Sequence, residues 1–252
     1  MYSFENKKII ITGINGILGK AIVQHFKNLG AGVCGMDLGE YNPESGVNET
    51  GYCSCDIANK DTVDDAMVSL MSETSVEYIL VNNAGISTPE PFEERTDEQF
   101  DRVMAVNAKG SFHCIQSYVK CFDKVDCSKG AIVNIASIFG VISPDFRNYC
   151  DYNFVSPEVY GMSKAGVIQM TRYFAVALAK RNIRVNSVSP GGLFNKNNPQ
   201  GDEFIKRYSD RVPMNRMGNP EEMVGAIAYF ASDVASYTTG QNMVIDGGLS
   251  AW

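Results

Sequence analysis

The chain has 252 residues, the size of one large α/β domain; at this length roughly 75% of the unfolded chain's surface is buried, so the core needs no covalent staples. Apolar residues at 44% and charged residues at 20% exclude a disordered chain. A formal charge of −7, from 22 Lys and Arg against 29 Asp and Glu, argues against nucleic acid or an anionic membrane as a partner.

The predicted elements alternate in type. Lys7 to Thr12 (KKIIIT) is a β-branched apolar run that ends in glycines, and Gly16 to Leu29 repeats Leu18, Ile22, Phe26 and Leu29 at helical spacing. Gly32 to Asp37 (GVCGMD) is a second strand, Gly51 to Asp56 a weak third, and Asp61 to Met71 a helix. Tyr78 to Val81 is a strand that runs into Asn82-Asn83-Ala84-Gly85. Thr96 suits a helix N-cap, with Asp97 and Glu98 at the positive end of the dipole; that helix is predicted to pass Asn107 and continue to about Val125. Ala131 to Ile135 is a buried-type strand, Glu158 to Arg181 a helix and Arg184 to Val188 a strand. Glu221 to Ala231 is a helix and Met243 to Ile245 the last strand.

Short apolar strands between amphipathic helices indicate a doubly wound parallel sheet covered on both faces, a three-layer α/β/α fold. No repeat, low-complexity tract or linker divides the chain, so residues 1–252 are expected to form a single domain. Irregular stretches at 39–50, 139–157 and 191–218 fall where strand C-ends open into a ligand crevice. Residues 139–157 are expected to be a substrate loop and 191–218 a lid region of loop or short helix.

The seven cysteines are scattered, with no CxxC pair, and Cys53 and Cys55 are too close for a zinc knuckle. His25 and His113 are the only histidines, which excludes a triad or metal site built on several of them. The start, Met1-Tyr2-Ser3-Phe4-Glu5-Asn6-Lys7-Lys8, lacks the apolar stretch of a secretory signal. No run approaches the ~18 apolar residues of a membrane span. A reduced, cytoplasmic chain with free thiols and no metal is expected.

Thr12-Gly13-Ile14-Asn15-Gly16-Ile17-Leu18-Gly19 lies between a strand and a helix. A pyrophosphate must approach backbone N–H groups at a helix N-terminus, and side chains would block it. Gly13 can make the tight turn, Gly16 permits close approach, and Gly19 lets helix and sheet pack. Asn15, Ile17 and Leu18 complete the expected contacts of this turn; a plain strand–helix connection is the competing reading. Asp37, with Leu38 beside it, ends the second strand, where a carboxylate can accept from an adenosine ribose and repel a 2′-phosphate. No Lys or Arg lies between Lys27 and Lys60, so NAD is expected over NADP.

Tyr160 and Lys164 stand four apart on a predicted helix, on one face. A free tyrosine, with its pKa near 10, is a poor base at neutral pH, and a nearby ammonium favours its phenolate. The pair is a candidate acid/base for proton exchange with an alcohol or ketone, although Tyr and Lys at this spacing also occur by chance.

Together these features resemble the short-chain dehydrogenase/reductases of the compact type, Rossmann-fold enzymes. The resemblance rests on the turn Thr12–Gly19, Asp37, Asp56-Ile57, Asn82-Asn83-Ala84-Gly85 and Asn107. It continues through Asn134-Ile135-Ala136-Ser137, Tyr160-x-x-Ser163-Lys164, Ser189-Pro190-Gly191 and Asp246-Gly247-Gly248. It implies that Tyr160 is the general acid/base, that Lys164 lowers its pKa and holds the nicotinamide ribose, and that Ser137 binds the substrate oxygen. It implies that Asn107 holds a relay water, while also satisfying backbone groups at a helix kink. Asp56 and Ile57 would flank the adenine, Asn83, Ala84 and Gly85 its ribose, and Pro190, Gly191 and Leu193 the nicotinamide, with Asn82 bracing the sheet.

Three departures from the family pattern stand out. The turn reads TGxxGxxG instead of TGxxxGxG, a spacing similar to the extended sugar-nucleotide epimerases of the same superfamily. The usual PGxxxT ends in Asn195. Ser137 and Tyr160 lie further apart than usual, so the active site carries an insertion, and Ser143 to Glu158 (SPDFRNYCDYNFVSPE) offers aromatic and polar groups suited to a sugar. Phe146, Tyr149, Tyr152 and Phe154 lie there, with Asp145 and Asp151; a plain surface loop or subunit contact is the alternative. Arg147, with Phe139 and Gly192, is a candidate substrate contact, Arg147 for an anionic group. At loop level the chain is similar to reductases of flagellin-modification and nonulosonic-acid pathways, which implies a sugar-derived substrate and a role in carbohydrate biosynthesis. The resemblance also implies a homotetramer or homodimer. A 3-oxoacyl or generic carbonyl reductase is the second reading, and a catalytically silent dinucleotide-binding module the third.

Overall fold

The computed structural model describes residues 3–88, 90–149, 155–196 and 201–252. Seven strands form one parallel sheet: β1 (Lys7–Thr12), β2 (Gly32–Asp37), β3 (Tyr52–Ser54), β4 (Glu77–Asn82), β5 (Gly130–Ile135), β6 (Ile183–Pro190) and β7 (Asn242–Ile245). Their order is β3-β2-β1-β4-β5-β6-β7, so the chain reverses direction of growth between β1 and β4. A crevice opens at such a switch point, beyond the strand C-ends.

Side chains alternate across β1: Ile9 and Ile11 enter one layer and Ile10 the other. The first layer is closed by α1 (Ile17–Asn28) and α7 (Pro220–Ala231), through Ile22, Phe26 and Ile227. The second is closed by α2 (Lys60–Leu70), α4 (Ser111–Phe122) and α5 (Glu158–Leu178), through Met67, Ile115, Tyr118 and Leu178. Both strand faces are buried, which is why the strands read as unbroken apolar runs. Asn82 braces the sheet by donating to Asn134 at 2.8 Å, and Asn134 donates to Thr171 at 2.9 Å. The six described cysteines outside Cys150 are free. No helix among the described residues is long and apolar enough to cross a membrane.

The helix predicted from Thr96 to about Val125, with a kink at Asn107, is three segments. α3 (Asp97–Met104) starts at Thr96, whose side chain and that of Gln99 form a capping box. A π-helical turn follows at Ala105–Gly110, and α4 ends at Phe122. Asn107 lies in that turn because its side chain bonds to Ile86 and Ser163, and the helix widens to let it reach them. A further helix, α6 (Asp202–Arg211), occupies the predicted lid region and packs through Tyr208 against Val212 and Met217 of the segment that follows it.

Candidate active site

At the end of β1 the chain turns through Gly13, where φ is +69° and an added Cβ would stand 2.8 Å from Ala84 Cα. The turn is therefore pressed against the loop after β4. Thr12 Oγ1 accepts the N–H groups of Asn83 and Ala84, each at 2.9 Å, and Asn83 Nδ2 donates to the carbonyls of Thr12 and Gly13, each at 3.0 Å. A Cβ at Gly19 would lie 2.2 Å from the Gly13 carbonyl oxygen and 2.8 Å from Ile14 Cα, so Gly19 lets α1 fold back against the turn itself. α1 starts at Gly16 with no side-chain cap and no acid in its first turn. Its leading N–H groups, at the positive end of the dipole, are left for an anion.

Asp37 closes β2 beside this turn. Its carboxylate accepts the N–H of Asn15 and of Leu38, each at 2.8 Å. A cleft of about 570 Å³ runs from here along the strand C-ends to α5 and α6. Of the predicted catalytic, cofactor and substrate contacts, all line it except Asn15, Gly19, Asn107 and Arg147.

Ser137 follows β5, where its Oγ accepts the Phe139 N–H at 3.2 Å and bonds to Tyr160. Tyr160 and Lys164 project from the start of α5, with Lys164 Nζ 5.7 Å from the Tyr160 ring centroid. Lys164 Nζ donates to the Ile135 carbonyl at 2.9 Å. Burial pulls the Lys164 ammonium down to about 8. Burial raises the Tyr160 phenol, and the contribution opposing that rise is the hydrogen bond from Ser137, where the sequence pointed to Lys164. Gly85 separates Lys164 from Asn107: a Cβ there would be 3.1 Å from Lys164 Nζ and 3.4 Å from Asn107 Oδ1. Asn107 stands behind this wall, fully buried.

Arg147 is turned away from the cleft. Its guanidinium lies on Asp145, with Nε at 3.0 Å, and it lines an adjoining recess. Tyr149 does reach the cleft, its ring centroid 5.3 Å from that of Phe204. Asp151, Tyr152 and Phe154 lie outside the described residues.

Sequence reasoning missed several lining residues. Arg102 of α3 borders the cleft and donates to Asp56 at 3.2 Å; no local pattern marks it. Phe204 and Tyr208 come from α6, and their spacing of four was the available signal. Tyr208 accepts the Gly192 N–H at 2.6 Å.

The family described as enoyl-(acyl carrier protein) reductase matches residues 13–250. The ribulose-forming D-arabinitol 2-dehydrogenase of Candida albicans is 32% identical, over 100% of this chain and 95% of its own. A 3-oxoacyl-(acyl-carrier-protein) reductase of Thermotoga maritima is 34% identical, over 97% of this chain and 98% of its own. A short-chain dehydrogenase from Leptospira borgpetersenii, solved with bound NAD+, superposes with a TM-score of 0.89 at 38% identity, covering 98% of this chain and 94% of that one. Likeness of this extent, carried by sequence and backbone alike, settles the family: the chain belongs to the short-chain dehydrogenase/reductases and is an oxidoreductase of alcohol and carbonyl groups.

Proposed function

We propose that this enzyme exchanges a hydride between NAD(H) and a secondary alcohol or ketone of a sugar-derived substrate, with Tyr160 as general acid/base. The observation that carries the reading is one continuous cleft, with the uncapped glycine turn and Asp37 at one end and Ser137, Tyr160 and Lys164 at the other. A dinucleotide fits these residues. The bare turn leaves N–H groups for a pyrophosphate, and Asp37 accepts from ribose hydroxyls while repelling a 2′-phosphate. Arg102, the cation nearest that end in the cleft wall, is paired with Asp56, which leaves the Asp37 preference for NAD in force. The nicotinamide supplies or takes up the hydride when bound.

In the reducing direction Ser137 donates to the substrate carbonyl oxygen and Tyr160 delivers the proton to it; oxidation runs the same transfers backwards. Lys164 is chiefly an ammonium at neutral pH, and the hydrogen bond from Ser137 favours the phenolate that Tyr160 becomes. The D-arabinitol dehydrogenase relative supports a polyol or ketose substrate. The 3-oxoacyl reductase relative supports the second reading. Exposed apolar residues on α4 and α5, Phe112, Tyr173 and Val176, support a homotetramer or homodimer, which light scattering would measure.

The test is a parallel titration of NADH and NADPH into wild type and Asp37→Ala, followed by turnover of pentitols, ketopentoses and an acetoacetyl thioester with Tyr160→Phe as blank. NADH should bind wild type at least about tenfold more tightly than NADPH, and Asp37→Ala should erase the difference. Equal binding by wild type would overturn the NAD assignment. Turnover of the thioester alone would replace the sugar reading with the oxoacyl one, and cofactor binding without any turnover would leave a binding module.

A further inference from the structure

Tyr208 lies in the same cleft as Ser137 and Tyr160 and is 3% exposed. Its hydroxyl accepts the Gly192 N–H at 2.6 Å. The approach is so close that a Cβ on Gly192 would stand 2.6 Å from a ring carbon of Tyr208, so glycine at that position is what admits the phenol. A hydroxyl that accepts one N–H still has its own proton to give. Burial pushes the Tyr208 phenol up, which keeps that proton in place.

The nearby acceptors are already engaged. The Gly192 carbonyl takes the Gly218 N–H at 2.9 Å. The Asp246 carboxylate takes the N–H groups of Gly248 and Ser250, at 2.9 and 2.8 Å. No described residue accepts the Tyr208 proton. A buried donor without a partner is unfavourable, and the N–H donated into it makes the hydroxyl a stronger donor in turn. Among the described residues, the cleft therefore holds a hydrogen-bond donor with no protein acceptor.

We propose that Tyr208 donates to a second oxygen of the substrate, a hydroxyl beside the reacting carbon, and so selects α-hydroxy ketones and vicinal diols over isolated ketones and alcohols. This rests on the oxidoreductase reading above and narrows it. A site built to bond a substrate oxygen discriminates strongly against the analogue that lacks it, because the protein group is then stranded. A carbonyl beside the reacting centre offers the same acceptor, so an acetoacetate ester forms a third arm of the test.

The experiment is steady-state reduction of hydroxyacetone, acetone and an acetoacetate ester with NADH, by wild type and Tyr208→Phe. Wild type should favour hydroxyacetone over acetone by at least about tenfold in kcat/KM, and Tyr208→Phe should remove that preference through a raised KM for hydroxyacetone. The Kd for NADH, read by fluorescence, should stay within about twofold, which shows that the loop has not moved. Gly192→Ala, which pushes the phenol away but keeps its hydroxyl, should lose the same preference. Equal losses on hydroxyacetone and acetone would make Tyr208 a loop anchor and overturn the proposal, as would a variant indistinguishable from wild type. A preference for the acetoacetate ester that vanishes in Tyr208→Phe would reassign the acceptor to a carbonyl. Turnover of a ketopentose without any preference for hydroxyacetone over acetone would overturn this proposal alone, whereas NADH binding with no turnover of these or of any pentitol or ketopentose would overturn the parent reading and this one with it.

Discussion

Asn107 holds both backbone groups of Ile86: its side-chain oxygen accepts the Ile86 N–H at 2.8 Å and its amide donates to the Ile86 carbonyl at 2.9 Å. The same amide reaches Ser163 Oγ at 3.0 Å. The loop after β4 and the π-turn are thereby locked together behind Lys164. Asn107→Leu strands two half-buried backbone groups, and a loss of about 2 kcal/mol is expected from urea unfolding. A midpoint shift of under a quarter of that would mean that solvent reaches Ile86.

Lys164 gives the stability curve a predictable shape. Its ammonium titrates at about 8 in the folded chain and near 10.5 when unfolded. Between those values the unfolded state binds more protons, so this group's contribution to stability rises with pH across the window. Below pH 8 the full cost of burying the charge is present, on the order of 3 kcal/mol before the bond to Ile135 is set against it. Lys164→Met should abolish activity yet raise the melting temperature at pH 7, with the gain shrinking from pH 8 to 10.5. A pH-independent difference would contradict the buried charge.

Two glycines with similar backbone angles separate strain from collision. Gly13 has φ +69° and a Cβ there meets Ala84 Cα at 2.8 Å; Gly39 has φ +82° with nothing within 4 Å. Gly39→Ala should lose about 1–2 kcal/mol, the cost of a left-handed residue. Gly13→Ala should lose more and also weaken dinucleotide binding, since the turn must shift off the β4 loop. Equal losses and unchanged binding would remove Gly13 from the cradle.

Asp145 ties the insertion to α6. It takes Arg147 and also forms an ion pair with Arg211, and its carboxyl is pulled down to about 2, first by the hydrogen bond from Arg147. Its stabilising effect is present above the unfolded carboxylate range and is lost as pH falls towards 2. Asp145→Asn should speed amide exchange in α6 by up to about tenfold at pH 7 while sparing α1. Unchanged exchange in α6 would show that Tyr208 and Tyr149 hold the helix by themselves.

Features that depend on neighbours along the chain were legible before the fold was known. Unbroken apolar runs marked the strands to within a residue or two, because strands buried on both faces need no polar alternation. The glycine turn, Asp37 and the Tyr160–Lys164 spacing were readable for the same reason, since a turn or a helix face fixes their geometry locally. Features that join distant parts of the chain became visible only in the folded molecule. The π-turn depends on Ile86, a residue 21 positions before Asn107, and local periodicity contains nothing of that bond. Arg102 reaches Asp56 across 46 positions, and Tyr208 meets Gly192 across 16. Arg147 pairs locally with Asp145, but it is the fold that brings Arg211 to the same carboxylate across 66 positions and places Arg147 outside the cleft. In each case a polar side chain takes a partner that packing brings within reach, and packing is set by the whole sheet and its two layers.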